Sequence, residues 1–248
     1  MTRRKVVMSV MVLSAAMAGY GFQALKKPAA PADPLIAGFS KSTVASVADA
    51  VDQIIGKRGF MAHDMRPRVE GKFVGRARTA LLRQAAPENA GPTVSAKHSV
   101  EMIDTAAAGE VGVIVIENGL DVAGLGGLMG TAAKARGMAG IVIDGGVRDV
   151  SEVRALRLPV YSRSVVPSSS VGRWATVANG ITVTCAGVEV SPGDFIVAGE
   201  DGVVVVPQGR AMEVLKRAQE IDERETRMVP LIQRLKALGK AVAQFNRI

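Results

Sequence analysis

The chain holds one cysteine, one tryptophan, two tyrosines and two histidines, and only 4% of its 248 residues are aromatic. A lone cysteine, Cys185, excludes an internal disulfide. Without a C-x-x-C pair or a His/Cys cluster there is no zinc-finger-type site either, so Cys185 reads as a small buried apolar residue. So few rings leave little for platforms that stack nucleic-acid bases. The core must then be built from Val, Ala, Leu, Ile and Met, which suits sheets covered by helices. His63 and His98 stand too far apart for a local metal motif and read as structural or exposed, and Trp174 reads as packing. No Gly-Lys-Ser/Thr follows the glycine-rich stretch, so a P-loop is excluded. No S-adenosylmethionine glycine loop with a following acidic strand end is recognisable, which sets a methyltransferase aside.

What is present is a globular composition: 48% hydrophobic, 22% charged, with 27 glycines marking a turn-rich chain. The net charge of +8 invites a nucleic-acid reading. Its distribution argues against one. Arg3, Arg4, Lys5, Lys26 and Lys27 come before any acid, and from Pro28 onward the chain carries only +3, with both signs interspersed. Nucleic acid is therefore not an expected partner.

Arg3-Arg4-Lys5 precedes an uncharged run from Val6 to Phe22, and Ala16-Met17-Ala18 offers the small residues a signal peptidase accepts. The paired arginines resemble a twin-arginine export pattern. Residues 1–27 are read as an export signal to the periplasm or, alternatively, as an uncleaved membrane anchor over residues 6–22. Residues 28–41 read as a proline- and alanine-rich linker, residues 42–209 as one α/β domain, and residues 210–248 as C-terminal helices.

Within the domain, apolar residues at 44, 47, 48 and 51 after Ser42-Thr43 predict a helix. Phe73 to Leu82 is β-prone, and Ser99 to Ala107 predicts a helix. Gly112 to Glu117 predicts a buried strand, Leu128 to Arg136 a helix closed by Gly137, and Ala139 to Ile143 a second buried strand, which together make one βαβ unit. A short helix over Ser151 to Leu156 and a strand at Val160 to Ser162 follow. From Ile181 onward, apolar runs punctuated by Ser191-Pro192-Gly193-Asp194 and Glu200-Asp201-Gly202 predict hairpins. Two C-terminal helices are predicted, divided at Pro230.

The most informative segment is Gly124-Leu125-Gly126-Gly127-Leu128-Met129. Its glycines follow a strand and open a helix, so unpaired backbone N–H groups can meet a carboxylate or phosphate with no side chain in the way. The third glycine of a dinucleotide fingerprint is missing, and a plain strand-to-helix turn fits the same pattern. Downstream, Arg148-Asp149 places a cation and a carboxylate just beyond a buried strand, where ligands bind in open α/β sheets. Asp149-Val150-Ser151-Glu152 also has capping-box spacing, so Asp149 is expected to cap the next helix, and Arg148 reads equally as a surface charge. Asp144, just before Gly145-Gly146, is placed to orient that turn.

These segments resemble a known family. Gly126-Gly127-Leu128-Met129-Gly130-Thr131-Ala132-Ala133-Lys134-Ala135-Arg136-Gly137, Gly140 to Asp149, Leu158-Pro159-Val160-Tyr161, Val190 to Asp194 and Asp201 to Pro207 are similar to the RraA-like proteins. That family includes 4-hydroxy-4-methyl-2-oxoglutarate aldolases and the regulator of ribonuclease activity A, and the likeness runs from about Ser42 to Glu225. It implies an α/β/β/α fold of swivelling-domain type, assembled as a homotrimer or homohexamer with sites between subunits. In the aldolase members, the turn matching Gly126, Gly127, Leu128 and Met129 binds the pyruvyl group through backbone amides. The residue matching Arg148 is the catalytic arginine on the substrate oxygen, and the one matching Asp149 holds a divalent metal, Mg²⁺ or Mn²⁺. The implied reaction cleaves a 4-hydroxy-2-oxo acid to pyruvate and a second oxo acid, with oxaloacetate decarboxylation beside it, both through pyruvate enolate. The chemistry suits the residues, because a cation and a guanidinium stabilise charge that grows on the C2 oxygen.

One position departs from the pattern. Aldolase members usually carry Asp or Glu at the second position of the turn, and Gly127 stands there. The departure implies a weaker hold on metal or a different substrate. It also keeps open a second reading, a non-catalytic binding protein that inhibits a partner through its surface.

Overall fold

The computed structural model describes residues 33–245. The segment read as an export signal or anchor lies outside the described residues. Among them, no helix is long and apolar enough to cross a membrane.

In chain order the elements are α1 (Pro34–Lys41), α2 (Val44–Ile55), β1 (Arg66–Val69), β2 (Phe73–Gln84), α3 (Pro92–Asp104), β3 (Val111–Ile116), β4 (Ala123–Leu125), α4 (Gly127–Ala135) and β5 (Gly140–Val147). They continue with α5 (Val150–Ala155), β6 (Val160–Val165), β7 (Trp174–Asn179), β8 (Val183–Cys185), β9 (Val188–Val190), β10 (Phe195–Gly199), β11 (Gly202–Val206), α6 (Ala211–Leu235) and α7 (Leu238–Phe245). The main sheet runs β1-β6-β5-β3-β2-β10-β11, with β4 on β5 and β7 on β2. Strands β2, β3, β5 and β6 are mutually parallel, while β10–β11 and the separate β8–β9 pair are antiparallel hairpins. The expected βαβ unit and hairpins are therefore present.

Period-two alternation sorts the strand residues into layers. On β3, Ile114 and Ile116 face α3 and α4, whereas Val111, Val113 and Val115 face an inner core shared with Met61, Met65, Tyr161, Cys185 and the β8–β9 hairpin. On β10 and β11, Phe195, Val197, Val204 and Val206 face α1, α2 and α6, while Ile196, Ala198, Val203 and Val205 face the inner core. The continuous main sheet curves around this inner core and helices cover its outer side, which gives a mixed α/β fold with a near-barrel sheet and C-terminal helices. Cys185 is fully buried, and burial pushes its thiol well above the ordinary range, as expected of a packing residue.

Three boundaries differ from the sequence reading. The stretch read as a linker to residue 41 holds α1, capped by Asp33 accepting from the Leu35 N–H, with Phe39 fully buried against the Phe195 ring. A proline at the first helical position reads as a linker in sequence yet starts a helix well. Helix α3 begins at Pro92 for the same reason, well before the predicted start at Ser99. Pro230 does not divide the C-terminal helices. It lies inside α6, and the break comes at Lys236, which is left-handed with φ 47°. The exposed proline is tolerated because Met228 and Leu231, on either side of it, are buried against Ala241 of α7.

Candidate active site

The site lies where β4 and β5 end side by side. The Arg148 N–H donates to the Leu125 carbonyl at 3.0 Å, locking the end of β5 to the start of the glycine turn. The next residue, Asp149, is left-handed (φ 52°, ψ 43°), a conformation that aspartate tolerates better than most residues. Its carbonyl accepts the Val153 N–H at 2.9 Å and so opens α5, yet its side chain makes no cap there. The capping box is therefore not formed. The Asp149 carboxylate caps the other helix: Oδ2 accepts the Gly127 N–H at the start of α4 at 2.9 Å.

The guanidinium of Arg148 lies alongside, with Nε 3.7 Å from Asp149 Oδ2, and the two side chains are 42% and 43% exposed. This is a loose pair open to solvent. Gly126 is what allows it, because a Cβ there would stand 2.6 Å from Asp149 Oδ2 and 3.0 Å from Arg148 Nε. Position 127 is different: a Cβ would meet Glu152 Cβ at 3.5 Å and Asp149 Cβ at 3.7 Å, both ordinary contacts. A Cβ is therefore accommodated, so close packing at that atom does not require Gly127. Glu152 is a second carboxylate near the turn that the sequence reading used only as a capping partner.

All six residues singled out from the sequence, Gly126, Gly127, Leu128, Met129, Arg148 and Asp149, thus form one cluster. Asp149 already engages the Gly127 amide. The Leu128 and Met129 amides remain in the first helical turn, where no residue of the helix can accept from them, and the positive end of the helix dipole favours an anion there. The Leu128 side chain is 90% exposed, while Met129 packs partly onto the core.

Asp144 is placed elsewhere. Its Oδ1 accepts from Arg163 Nη1 at 3.0 Å and its Oδ2 from the Ala186 N–H at 2.6 Å, so it ties β5 to β6 and to the β8–β9 turn rather than shaping the glycine turn. Arg163 also binds Asp64 Oδ2 at 2.8 Å, and that hydrogen bond holds the Asp64 carboxyl below its ordinary range. His63 is exposed, His98 Nδ1 pairs with Glu101 Oε2 at 2.7 Å, and Trp174 Nε1 donates to the Glu117 carbonyl. Among the described residues no three His, Cys, Asp or Glu side chains converge as a metal cage.

Behind the turn is a cavity of about 100 Å³ that no local pattern announces. Its lining includes Gly126, Met129 and Arg148 together with Ser95, Ser99 and Ser170. Serines four apart on α3 read in sequence as an ordinary polar helix face, and nothing local places them against a turn some 30 residues later.

The strand end thus brings an arginine, a carboxylate and a helix N-terminus together in a mixed α/β protein. Residues 44–205 match the family model described as RraA-like, Aldolase/RraA, and the chain belongs to the RraA-like family. It is 37% identical over 118 residues to the uncharacterized protein MJ0644 of Methanocaldococcus jannaschii, covering 48% of this chain and 56% of that one. It is 31% identical over 108 residues to a 4-hydroxy-4-methyl-2-oxoglutarate aldolase of Thermus thermophilus, covering 44% of this chain and 65% of the aldolase. In neither relative does the match reach two thirds of that protein's length. Streptomyces coelicolor RraAS2, described as an unusual member of the RNase ES inhibitor RraA protein family, aligns with a TM-score of 0.70 at 25% identity over 79% of this chain and 96% of its own.

Proposed function

We propose that this protein is a lyase acting on small 2-oxo acids. It cleaves 4-hydroxy-2-oxo dicarboxylates to pyruvate and a second oxo acid and also decarboxylates oxaloacetate. The observation that carries the reading is Arg148 and Asp149 held together against the N-terminus of α4, with Asp149 Oδ2 2.9 Å from the Gly127 nitrogen.

In both reactions the C–C bond breaks with its electron pair moving toward C2, and negative charge grows on the C2 oxygen as the enolate of pyruvate forms. Arg148, half-exposed and free of any close carboxylate bond, is available to donate N–H groups to that oxygen. Such a donor acts mainly where charge develops, and so lowers the barrier more than it tightens binding. The Leu128 and Met129 amides are placed for the substrate's C1 carboxylate. Gly126 keeps side-chain atoms out of the space between them.

A divalent cation belongs to this proposal. Asp149 would hold it, since only one of its oxygens accepts from Gly127 and the other stays available. A single carboxylate with substrate oxygens and water is the donor set that Mg²⁺ or Mn²⁺ accepts. When bound, the ion supplies Lewis-acid stabilisation of the same oxygen. Assembly as a homotrimer or homohexamer, with each site completed by a neighbour, is part of the same proposal.

The test is pyruvate release by the full chain from oxaloacetate and from 4-hydroxy-4-methyl-2-oxoglutarate, with Mg²⁺ or Mn²⁺ and then with excess chelator. Chelator-sensitive release is the expected result. One observation favours a second reading, an inhibitor of another protein in the manner of the RNase ES inhibitor family: no acid stands at position 127, although a Cβ there would meet only ordinary contacts. Absence of release from both substrates by folded protein would favour that reading.

A further inference from the structure

The family model matches residues 44–205, and the C-terminal helices lie beyond that match. Along them the charge changes sign. Residues 211–225, the first part of α6, hold five acids and three cations, and Arg217 pairs with Glu220 at 3.0 Å. That is the mixed face of an ordinary solvated helix. Residues 226–245 hold Arg227, Arg234, Lys236 and Lys240 and no acid. Among the described residues, none of these four forms an ion pair.

The turn between the two helices gathers cations with apolar side chains. From Arg234 to Lys240 the chain reads Arg-Leu-Lys-Ala-Leu-Gly-Lys, and every residue but Ala237 is exposed. Leu238 is 52% exposed and Leu235 39%. Neither belongs to the small cluster of Met228, Leu231 and Ala241 that joins α6 to α7, so both leave hydrocarbon in water. Beside the turn is a cavity of about 360 Å³, lined by Arg227, Pro230, Leu231 and Arg234 of α6 and by Gln244 and Phe245 of α7. Arg227 and Arg234 stand about two turns apart on one face of the helix, and the Arg227 guanidinium lies 5.8 Å from the centre of the Phe245 ring. No carboxylate lines the cavity. Guanidiniums grip phosphate oxygens in pairs, and the proline, leucine and phenylalanine that share the lining suit hydrocarbon.

We propose that the α6–α7 hairpin, residues 226–245, is a docking surface for an anionic lipid bilayer. Arg227, Arg234, Lys236 and Lys240 meet lipid phosphates, and Leu235 and Leu238 at the turn enter the boundary between headgroups and acyl chains. Exposed leucines among unpaired cations are what separate a bilayer from a nucleic acid here, since a nucleic acid offers phosphate without hydrocarbon. The hairpin's one aromatic ring, Phe245, packs against the α6–α7 cluster and is not free to stack on bases. The hairpin lies on the bilayer rather than crossing it, because no described helix is long and apolar enough to span one. The surface shares no residue with the site at the end of β5, and it stands or falls separately from the lyase reading.

The test is co-sedimentation of the full chain with vesicles of phosphatidylcholine alone and of phosphatidylcholine with phosphatidylglycerol in equal parts, followed by hydrogen exchange of the bound protein. Arg3, Arg4 and Lys5 with the uncharged run after them can also meet lipid, so the exchange arm locates the contact. The anionic vesicles should bind at least about tenfold more tightly, and that preference should shrink as salt rises from about 0.05 to about 0.3 M. Arg227→Gln combined with Arg234→Gln should weaken binding to the anionic vesicles by about tenfold or more, and Leu235→Ser combined with Leu238→Ser by a similar factor. Both double variants should melt close to wild type, because the arginines form no ion pair and the leucines stand outside the buried cluster. Amide exchange over residues 226–245 should slow on the anionic vesicles. Equal binding to the two vesicle types, no binding to either, a preference untouched by the arginine variant, or slowing confined to other residues would each overturn the docking surface. Exchange over residues 226–245 that slows with protein concentration, in a chain that ignores vesicles, would make this face a contact between copies instead.

Discussion

Strand β5 carries two arginine–carboxylate groupings, and they are built oppositely. In its middle, Asp144 is 15% exposed and is bound by Arg163 at 3.0 Å and by the Ala186 amide, while Arg163 also grips Asp64 at 2.8 Å. At its end, Arg148 and Asp149 are 3.7 Å apart, more than 40% exposed, and share no hydrogen bond. The first grouping commits its donors to the protein. The second keeps them for something else. A guanidinium locked between two carboxylates is a staple, whereas one held in place by its backbone, through the Arg148 N–H on Leu125, keeps its side chain available.

Breaking each grouping in turn should separate chemistry from stability. Arg148→Ala is expected to lower turnover of oxaloacetate by two to three orders of magnitude, about 3–4 kcal/mol in the barrier, with a melting temperature close to wild type. Arg163→Met should do the reverse. Leaving Asp144 and Asp64 without their partner costs about 2–3 kcal/mol of stability in denaturant melts, at the low end for buried pairs because the site is partly wet, while the remaining folded protein keeps its activity. Because Arg163 depresses the Asp64 carboxyl, the stability this contact contributes is present above about pH 4 and is lost as pH falls through the lowered value. Acid melts of Arg163→Met should lack that component.

The closed inner core can be compared with the open strand end through Tyr161. Burial pushes its phenol up to about 12. Its stabilising contribution is therefore full below about pH 10, the unfolded value, and fades as pH rises from about 10 toward about 12. Ultraviolet titration in a Tyr20→Phe background should show no tyrosinate at about pH 10.5 until the protein unfolds. The smallest expected effect belongs to Gly127→Asp, since a Cβ there meets only ordinary contacts: half-maximal activation by Mg²⁺ should need about tenfold less metal, the usual worth of an outer-shell carboxylate, with kcat within a few-fold. An unchanged Mg²⁺ requirement would show that position 127 is remote from the ion.

The strands, their layering and the βαβ unit are legible because Val and Ile alternation is a local signal. So is the cluster of Gly126 to Met129 with Arg148 and Asp149, through glycine spacing and a charged pair at a strand end. What misleads is also local. Asp149-Val150-Ser151-Glu152 has the letters of a capping box, but a left-handed backbone at Asp149 turns the carboxylate toward α4, onto an amide 22 positions earlier. Pro34 and Pro230 suggest breaks through their average effect, and packing of Phe39, Met228 and Leu231 decides otherwise. The serine cavity is illegible because Ser99, Gly126 and Ser170 are brought together only by the sheet.

The backbone of Asp149 carries one more consequence, for what substitution can explore there. A φ of 52° leaves glycine, asparagine and aspartate as the residues that sit with little penalty. Capping the Gly127 amide removes glycine from that set, because an acceptor oxygen is needed. Asparagine and aspartate remain, differing by one negative charge and almost nothing in shape. Asp149→Asn is therefore a nearly silent change for the fold, with stability within about 0.5 kcal/mol of wild type, and any loss it brings reports on charge alone. Drift at this position has a single neutral step open to it, and that step discards the only property the fold does not need.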